Sequence, residues 1–345
     1  MLLTLLRNNL RSQTFLHKQT SHRNIYTMSI KNVAIVGAGG NSGKYMTESL
    51  LATGKHTVTA ITRPNSTSVL PEGVKVAHVD YDNPASIVEA LKGQDALIIT
   101  MGVTAPKDSQ SKLIQAAADA NVPWVLPNAW SPDSTHEGLR KDVGIFEGQE
   151  AIKNLIAKIG KSSYMNVTTG FWYEWSVSIA EAYGIDFANK KVTFFDDGET
   201  KITTTTWPQV GRGVAALMSL PEEELEKLKN KTVFISSFTV SQKDMLDSVL
   251  RVTGDKIDDW TVTKEPATER FKAGVEAMMK GDRMGFLRMM YTRVFYPDGN
   301  GDYETGRGTS NALLGLPKED LDEATKAAIK RAEENPFGYE PSSRG

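Results

Sequence analysis

Short apolar runs separated by amphipathic stretches set the rhythm of the first half of the chain. Residues 33–36, Val-Ala-Ile-Val, are too few for a helix and suit a strand buried on both faces of a parallel sheet. A glycine turn follows at once, and residues 41–52 then carry Tyr45, Leu50 and Leu51 as inward positions of a helix stopped by Gly54. The alternation continues with strands expected at 57–61, 74–79, 96–100, 124–126 and 164–169. Between them, helices are expected from the Pro84 turn to Leu91, at 108–121 and at 143–159. This order predicts an α/β fold, a doubly wound parallel sheet that binds ligands at the carboxyl ends of its strands.

After Gly184 the rhythm loosens. Residues 191–195 and 201–205 read as short strands joined by Asp196-Asp197-Gly198, a hairpin signal. Thr206 is the expected cap of a helix to Met218 with Pro208 in its first turn, and Ser241 of a helix over 242–252. Residues 232–236 form another expected strand, and 317–333 a charged helix. Five of the 12 methionines lie within 268–296, together with several aromatic residues. That composition suits either an adaptable lid or a core, and core is the preferred reading. The organisation is therefore a dinucleotide-binding unit over 28–184, a smaller α+β substrate-binding region over 185–335 interwoven with it, and a tail over 336–345.

Residues 1–27 differ in composition. They hold Arg7, Arg11, Lys18 and Arg23 and no acid, whereas the first carboxylate of the chain is Glu48. Two readings stand: a mitochondrial presequence, or a leader ahead of a cytoplasmic protein that starts at Met28. The whole chain has a net charge of −2, so no excess of basic residues points to nucleic acid. With no cysteine, disulfides, thiolate nucleophiles and cysteine-ligated metals are excluded. No apolar run approaches the length of a membrane span. The expected partner is a small-molecule substrate; a homodimer or a protein partner stays open.

The chemistry concentrates at the first turn. Gly37, Gly40 and Gly43 fit Gly-x-x-Gly-x-x-Gly between a strand and a helix, so Asn41, Ser42 and Gly43 would present the helix N-terminus to a pyrophosphate. An NAD site places an acid after the second strand, but none occurs between Glu48 and Glu72, and Arg63 stands there instead. A guanidinium suits a 2′-phosphate, so NADP is expected over NAD. Asp80 is placed either at the adenine edge or as a helix-capping residue. Gly102, with Met101 and Val103, is expected to lie across the cofactor.

No tyrosine is followed four residues later by lysine, and no Gly-x-Ser-x-Gly elbow or His-Glu-x-x-His helix occurs. Asp298, Asn300 and Asp302 only briefly match a calcium loop, and no metal is expected. Tyr173, just past the sixth strand, is the candidate proton donor. The cluster Phe171, Trp172, Tyr173 and Trp175 reads as domain-interface core before pocket, with a pocket role for at least two of them as the alternative. Asn128, Trp130 and Trp207 complete the candidate pocket.

The glycine turn, Thr62-Arg63 and Leu126-Pro127-Asn128 resemble the NmrA-like and isoflavone reductase-like branch of atypical short-chain dehydrogenases. The blocks at 169–175, 206–212 and 290–296 are similar to fungal CipA-like oxidoreductases within it. The resemblance implies a Rossmann domain that binds NADP, a smaller substrate domain, and a lysine on the helix after the fifth strand as general acid/base. Here that position falls near Glu150 and Ala151. Lys153 lies on the same helix, but two or three positions on is a rotation of roughly 200–300°, so it is expected to face elsewhere. The resemblance implies a reductase acting on a carbonyl or conjugated double bond of an apolar or aromatic molecule. The alternative is a non-catalytic redox sensor working through a protein partner, and a structural subunit is a weaker third reading.

Overall fold

A computed structural model describes residues 30–102 and 105–334. The leader, Met28, Val103 and the 336–345 tail, all of which entered the sequence reading, lie outside the described residues. The first half runs β1 (Asn32–Val36), α1 (Asn41–Ala52), β2 (Thr57–Thr62), β3 (Lys75–His78), α2 (Pro84–Leu91), β4 (Ala96–Ile99), α3 (Ser109–Asp119), β5 (Trp124–Leu126), α4 (Glu137–Asp142), α5 (Gly144–Ile159) and β6 (Ser163–Thr168). The second runs β7 (Phe171–Trp172), α6 (Tyr173–Val177), α7 (Ala180–Tyr183), β8 (Ile185–Asp186), β9 (Lys191–Phe195), β10 (Ile202–Thr205), α8 (Trp207–Met218), α9 (Glu222–Lys227), β11 (Lys231–Phe234), β12 (Phe238–Val240) and α10 (Gln242–Thr253). It closes with β13 (Thr261–Glu265), α11 (Ala267–Met279), α12 (Arg283–Arg293), α13 (Tyr303–Arg307) and α14 (Leu321–Glu334).

Seven strands form the main sheet in the order β11-β6-β5-β4-β1-β2-β3, all parallel. Because side chains alternate across a strand, Val33 and Ile35 face one layer and Ala34 and Val36 the other. The first pair packs with Met46 and Leu50 of α1 and Val210, Val214 and Leu217 of α8; the second with Ile87, Leu91, Leu113 and Ile156 of the opposite helices. The strand order reverses between β4 and β1, which places the ligand crevice at their carboxyl ends.

The chain after Gly184 is not one block, because α8 and β11 return to the main sheet. Two three-stranded sheets, β12-β10-β7 and β13-β9-β8, lie beside it. They correct the hairpin expected from Asp196-Asp197-Gly198. The chain does turn there, with Asp196 at φ 56° and Gly198 at φ 76°. However, both edges of β9 are taken by β8 and β13, and both edges of β10 by β7 and β12, so the two strands never pair. Thr206 and Ser241 cap α8 and α10 as their side chains allow, Ser241 in a reciprocal box with Asp244.

Candidate functional site

The carboxyl edge of the main sheet gathers, in spatial order, Tyr81 after β3, Arg63 after β2, the glycine turn after β1, Met101 and Gly102 after β4, Asn128 to Ser131 after β5, and Thr169 to Trp172 after β6. Gly37 sits at φ 81°, and a side chain there would place its Cβ 1.8 Å from the Thr100 carbonyl oxygen. At Gly43 a Cβ would lie 2.0 Å from the Gly37 carbonyl oxygen, so α1 can approach the turn only without a side chain. Gly40 closes the turn by donating its N–H to Gly37 at 2.9 Å. It then serves as the α1 N-cap with no side-chain cap and no acid in the first turn. The first-turn amides of Asn41, Ser42 and Gly43 therefore face the crevice with a positive helix end unmatched by any carboxylate of their own turn.

Arg63 is exposed at the end of β2, and the loop beyond it bends back until the Val69 carbonyl crowds Gly39. Asp80 turns its carboxylate inward on its own loop: Oδ1 accepts the Asp82 N–H at 2.9 Å, while Ser86 Oγ accepts the Asp80 N–H at 2.9 Å. The carboxylate closes an Asx-type turn within its loop; it does not cap α2, whose N-cap is Asn83 without a side-chain bond.

Asn128 was expected in the pocket, but its amide is consumed elsewhere. Oδ1 accepts the Met101 N–H and Nδ2 donates to the Met101 carbonyl, both at 3.0 Å, so the residue clips the loop after β4 to β5. Trp130 donates its indole N–H to the Ile99 carbonyl at 2.8 Å and stays half-buried, as does Trp172. The Ser131 carbonyl accepts the Thr169 and Gly170 N–H groups, both at 3.1 Å, which joins the loops that carry these two indoles.

Three aromatic candidates are corrected to core. Phe171 is buried and stacks on Tyr291 with ring centroids 4.0 Å apart. Tyr173 has no exposed surface; its hydroxyl pairs with Thr325 Oγ1 at 2.7 Å and its ring packs edge-on against Phe238. Burial raises that phenol far above its ordinary value, the opposite of what a proton donor at the sheet edge needs. Trp207 is buried between Tyr45 and Trp175, with Arg331 lying 5.1 Å over its ring.

Lys153 does not face away from Glu150. Three positions along a helix fall only about 60° short of a full turn, and the ammonium meets Glu150 Oε1 at 2.5 Å. Its side chain is 6% exposed, and the same carboxylate oxygen accepts from Ser134 Oγ at 3.0 Å. The lysine is thus held in a buried pair with Glu150.

Glu174 was missed by the sequence reading, hidden within an aromatic block that gave it no periodicity of its own. It is buried, and both carboxylate oxygens accept the Trp207 N–H at 3.2 Å. Burial pushes its pKa up to about 7; its own N–H, the Trp207 N–H and Arg331 pull it back, while Glu319 pushes it further. A folded pKa above the unfolded value makes a contribution that is complete below the unfolded pKa and lost as pH rises through the folded one. Stability should therefore decline between the unfolded carboxylate value and pH 7. Glu174→Gln keeps an acceptor for Trp207 without the charge. Relative to wild type, it is expected to gain about 3 kcal/mol between pH 4 and pH 8, read from denaturation at both pH values. Parallel profiles for the two proteins would contradict this.

The loop that briefly matched a calcium site holds no such arrangement. Asp298 pairs with Arg293 and with Asn300, and Asp302 caps α13. Among the described residues no cluster of histidine and carboxylate could hold a metal ion, and no helix is long and apolar enough to cross a membrane.

Comparison with known proteins matches this architecture. The "Oxidoreductase aprR" of Aspergillus flavus is 30% identical over 307 residues, which cover 88% of this chain and all of that protein. The "Oxidoreductase poxI" of Penicillium oxalicum is 25% identical, over 85% of this chain and 92% of its own. Among solved structures, an isoflavone reductase superposes with a TM-score of 0.70 at 20% identity, covering 86% of this chain and 99% of its own. A structure described as AtPrR2 with NADP+ and (+)pinoresinol gives 0.69 at 18% identity, over 87% of this chain and 98% of its own. With the family profile matching residues 29–281, the chain belongs to the NmrA-like family.

Proposed function

We propose that this protein is an NADPH-dependent reductase that delivers hydride to a carbonyl or conjugated double bond of an apolar or aromatic small molecule. The observation that carries the reading is the uncapped N-terminus of α1 behind a turn closed by Gly37 and Gly43, with Arg63 in place of an acid at the next strand end. These residues fit a dinucleotide: first-turn amides suit a pyrophosphate and a guanidinium suits a ribose phosphate. NADPH, when bound, supplies the hydride. The chain's own part is to hold the phosphates at α1 and to fix the loop after β4 through Asn128. Trp130 and Trp172, both half-buried near the carboxyl edge, are the indoles against which a planar substrate would stack. The names of the relatives as oxidoreductases, and of neighbours crystallised with NADP+ or NADPH, support the reading.

The test is titration with NADPH and NADH, alone and with Arg63→Ala. The variant is expected to lose roughly tenfold to a hundredfold in NADPH affinity, the range of a charge-assisted bond, and to change little toward NADH. Equal losses would remove the NADP preference; no binding of either nucleotide would remove the reading itself. Steady NADPH oxidation with a carbonyl library then tests the reaction. A second reading, a dinucleotide-responsive regulator that acts through a protein partner, is favoured by the Glu150–Lys153 pair, which ties up the ammonium on the helix after β5.

A further inference from the structure

The far end of the carboxyl edge contains a group that the dinucleotide reading has not used. Arg63 and Tyr81 leave adjacent parallel strands one and three residues past a paired position, since Thr62 lies opposite His78 in the register and the Thr62 carbonyl accepts the Val79 N–H at 2.9 Å. Tyr81 stands on a stiff turn. Asp80 Oδ1 holds the Asp82 N–H, and Ser86 Oγ holds the Asp80 N–H while reaching the Asn83 carbonyl at 2.8 Å. The ring is half-buried against the core layer that contains Ile61, Val79 and Ile87.

The charges around it are mixed. Asp80 and Asp82 are exposed on the same turn, and Lys112 is already committed to Asp108 at 2.9 Å and lies 3.8 Å from Asp82. Carboxylates on the same turn as Tyr81 disfavour an anion there, and a neutral donor adds a bond to a phosphate held by Arg63 without adding charge. Burial raises the Tyr81 phenol above its ordinary value, an effect only partly offset by the nearby Arg63 guanidinium, so it keeps its proton at neutral pH.

We propose that Tyr81 is a specificity-determining residue whose hydroxyl, together with the Arg63 guanidinium, forms a two-point clamp for a phosphate monoester on the adenosine ribose. The inference rests on the dinucleotide reading and gives its adenosine end a second, neutral donor. It also assigns that donor to Tyr81 and not to Asp80, whose carboxylate serves the turn.

The experiment titrates wild type, Tyr81→Phe and Arg63→Ala with 2′,5′-adenosine diphosphate and with 5′-adenosine monophosphate, which differ by the one phosphate. Loss of a hydroxyl donor to a charged acceptor predicts roughly a tenfold weaker 2′,5′-diphosphate complex for Tyr81→Phe, with 5′-monophosphate binding unchanged and the melting curve unmoved. If Tyr81→Phe binds both probes like wild type while Arg63→Ala loses the diphosphate, the clamp is overturned and the NADP reading stands. An equal loss for both probes assigns the phenol to the nucleoside and overturns the clamp as well. If wild type does not prefer the diphosphate over the monophosphate, both inferences fall together.

Discussion

Gly43→Ala is expected to abolish dinucleotide binding and to destabilise the fold at the same time. The new methyl carbon would lie 2.0 Å from the Gly37 carbonyl oxygen and 2.8 Å from its carbon, and both belong to backbone held in the turn by the Gly40 N–H. Backbone cannot swing aside as a side-chain tip would, so α1 must withdraw from β1. The cost is about 3 kcal/mol, the upper range for overpacking, and the withdrawn amides lose roughly a hundredfold or more in cofactor affinity. Gly148→Ala is the internal control. That glycine lies exposed in the middle of α5 with nothing near its would-be Cβ, so the exchange should add about 0.5–1 kcal/mol of stability. Thermal melts and NADPH titration of the two variants check the pair. A Gly43→Ala protein that binds NADPH like wild type would show that the turn has room the geometry denies it.

The second large effect is at Lys153. Lys153→Met leaves the Glu150 carboxylate with Ser134 Oγ at 3.0 Å and Arg140 only at 4.0 Å, largely out of water and without its close counter-charge. Removing one partner of a buried pair costs about 3–5 kcal/mol, mostly the desolvation of the charge left behind. The double change Lys153→Met, Glu150→Leu removes both charges and should recover more than half of that loss. Denaturant unfolding of the two single variants and the double variant measures the coupling directly. Additive losses would mean that the two side chains do not act on one another, and that the ammonium is available for other work.

These two sites illustrate how differently the sequence bears on structure. Gly37, Gly40 and Gly43 were legible because the requirement is local. A strand, a turn with φ above zero and a helix packed against that turn follow one another within a dozen residues, and at Gly37 and Gly43 no residue with a Cβ meets the constraint. The Glu150–Lys153 pair was legible in spacing but not in consequence. The rotation between the positions is fixed, yet whether that face of α5 meets solvent, crevice or sheet depends on where β6 lies.

The aromatic block after β6 marks the limit. Phe171, Trp172 and Tyr173 are consecutive and chemically alike, so any local reading must treat them together. The structure separates them: Trp172 stays half-buried, Phe171 stacks on Tyr291 from α12, and Tyr173 reaches Thr325 on α14. Those partners lie more than a hundred residues away, as does the Glu319 that influences Glu174. Asp196-Asp197-Gly198 failed for a related reason, since a turn fixes the direction of the chain but not which edges are vacant beside it.

By itself, then, the sequence determined the alternation of strand and helix, the glycine turn, the missing acid after β2 and the caps at Thr206 and Ser241. All of these rest on periodicity or on backbone needs that span a few residues. The tertiary structure alone decided which aromatic rings are fully buried and which stay half-buried, which strands pair, that Asn128 clips a loop, and that Lys153 and Glu174 are buried ionisable groups. Each of these depends on long-range packing, where the same side chain is stable in a core or in a pocket and only its distant neighbours choose between them.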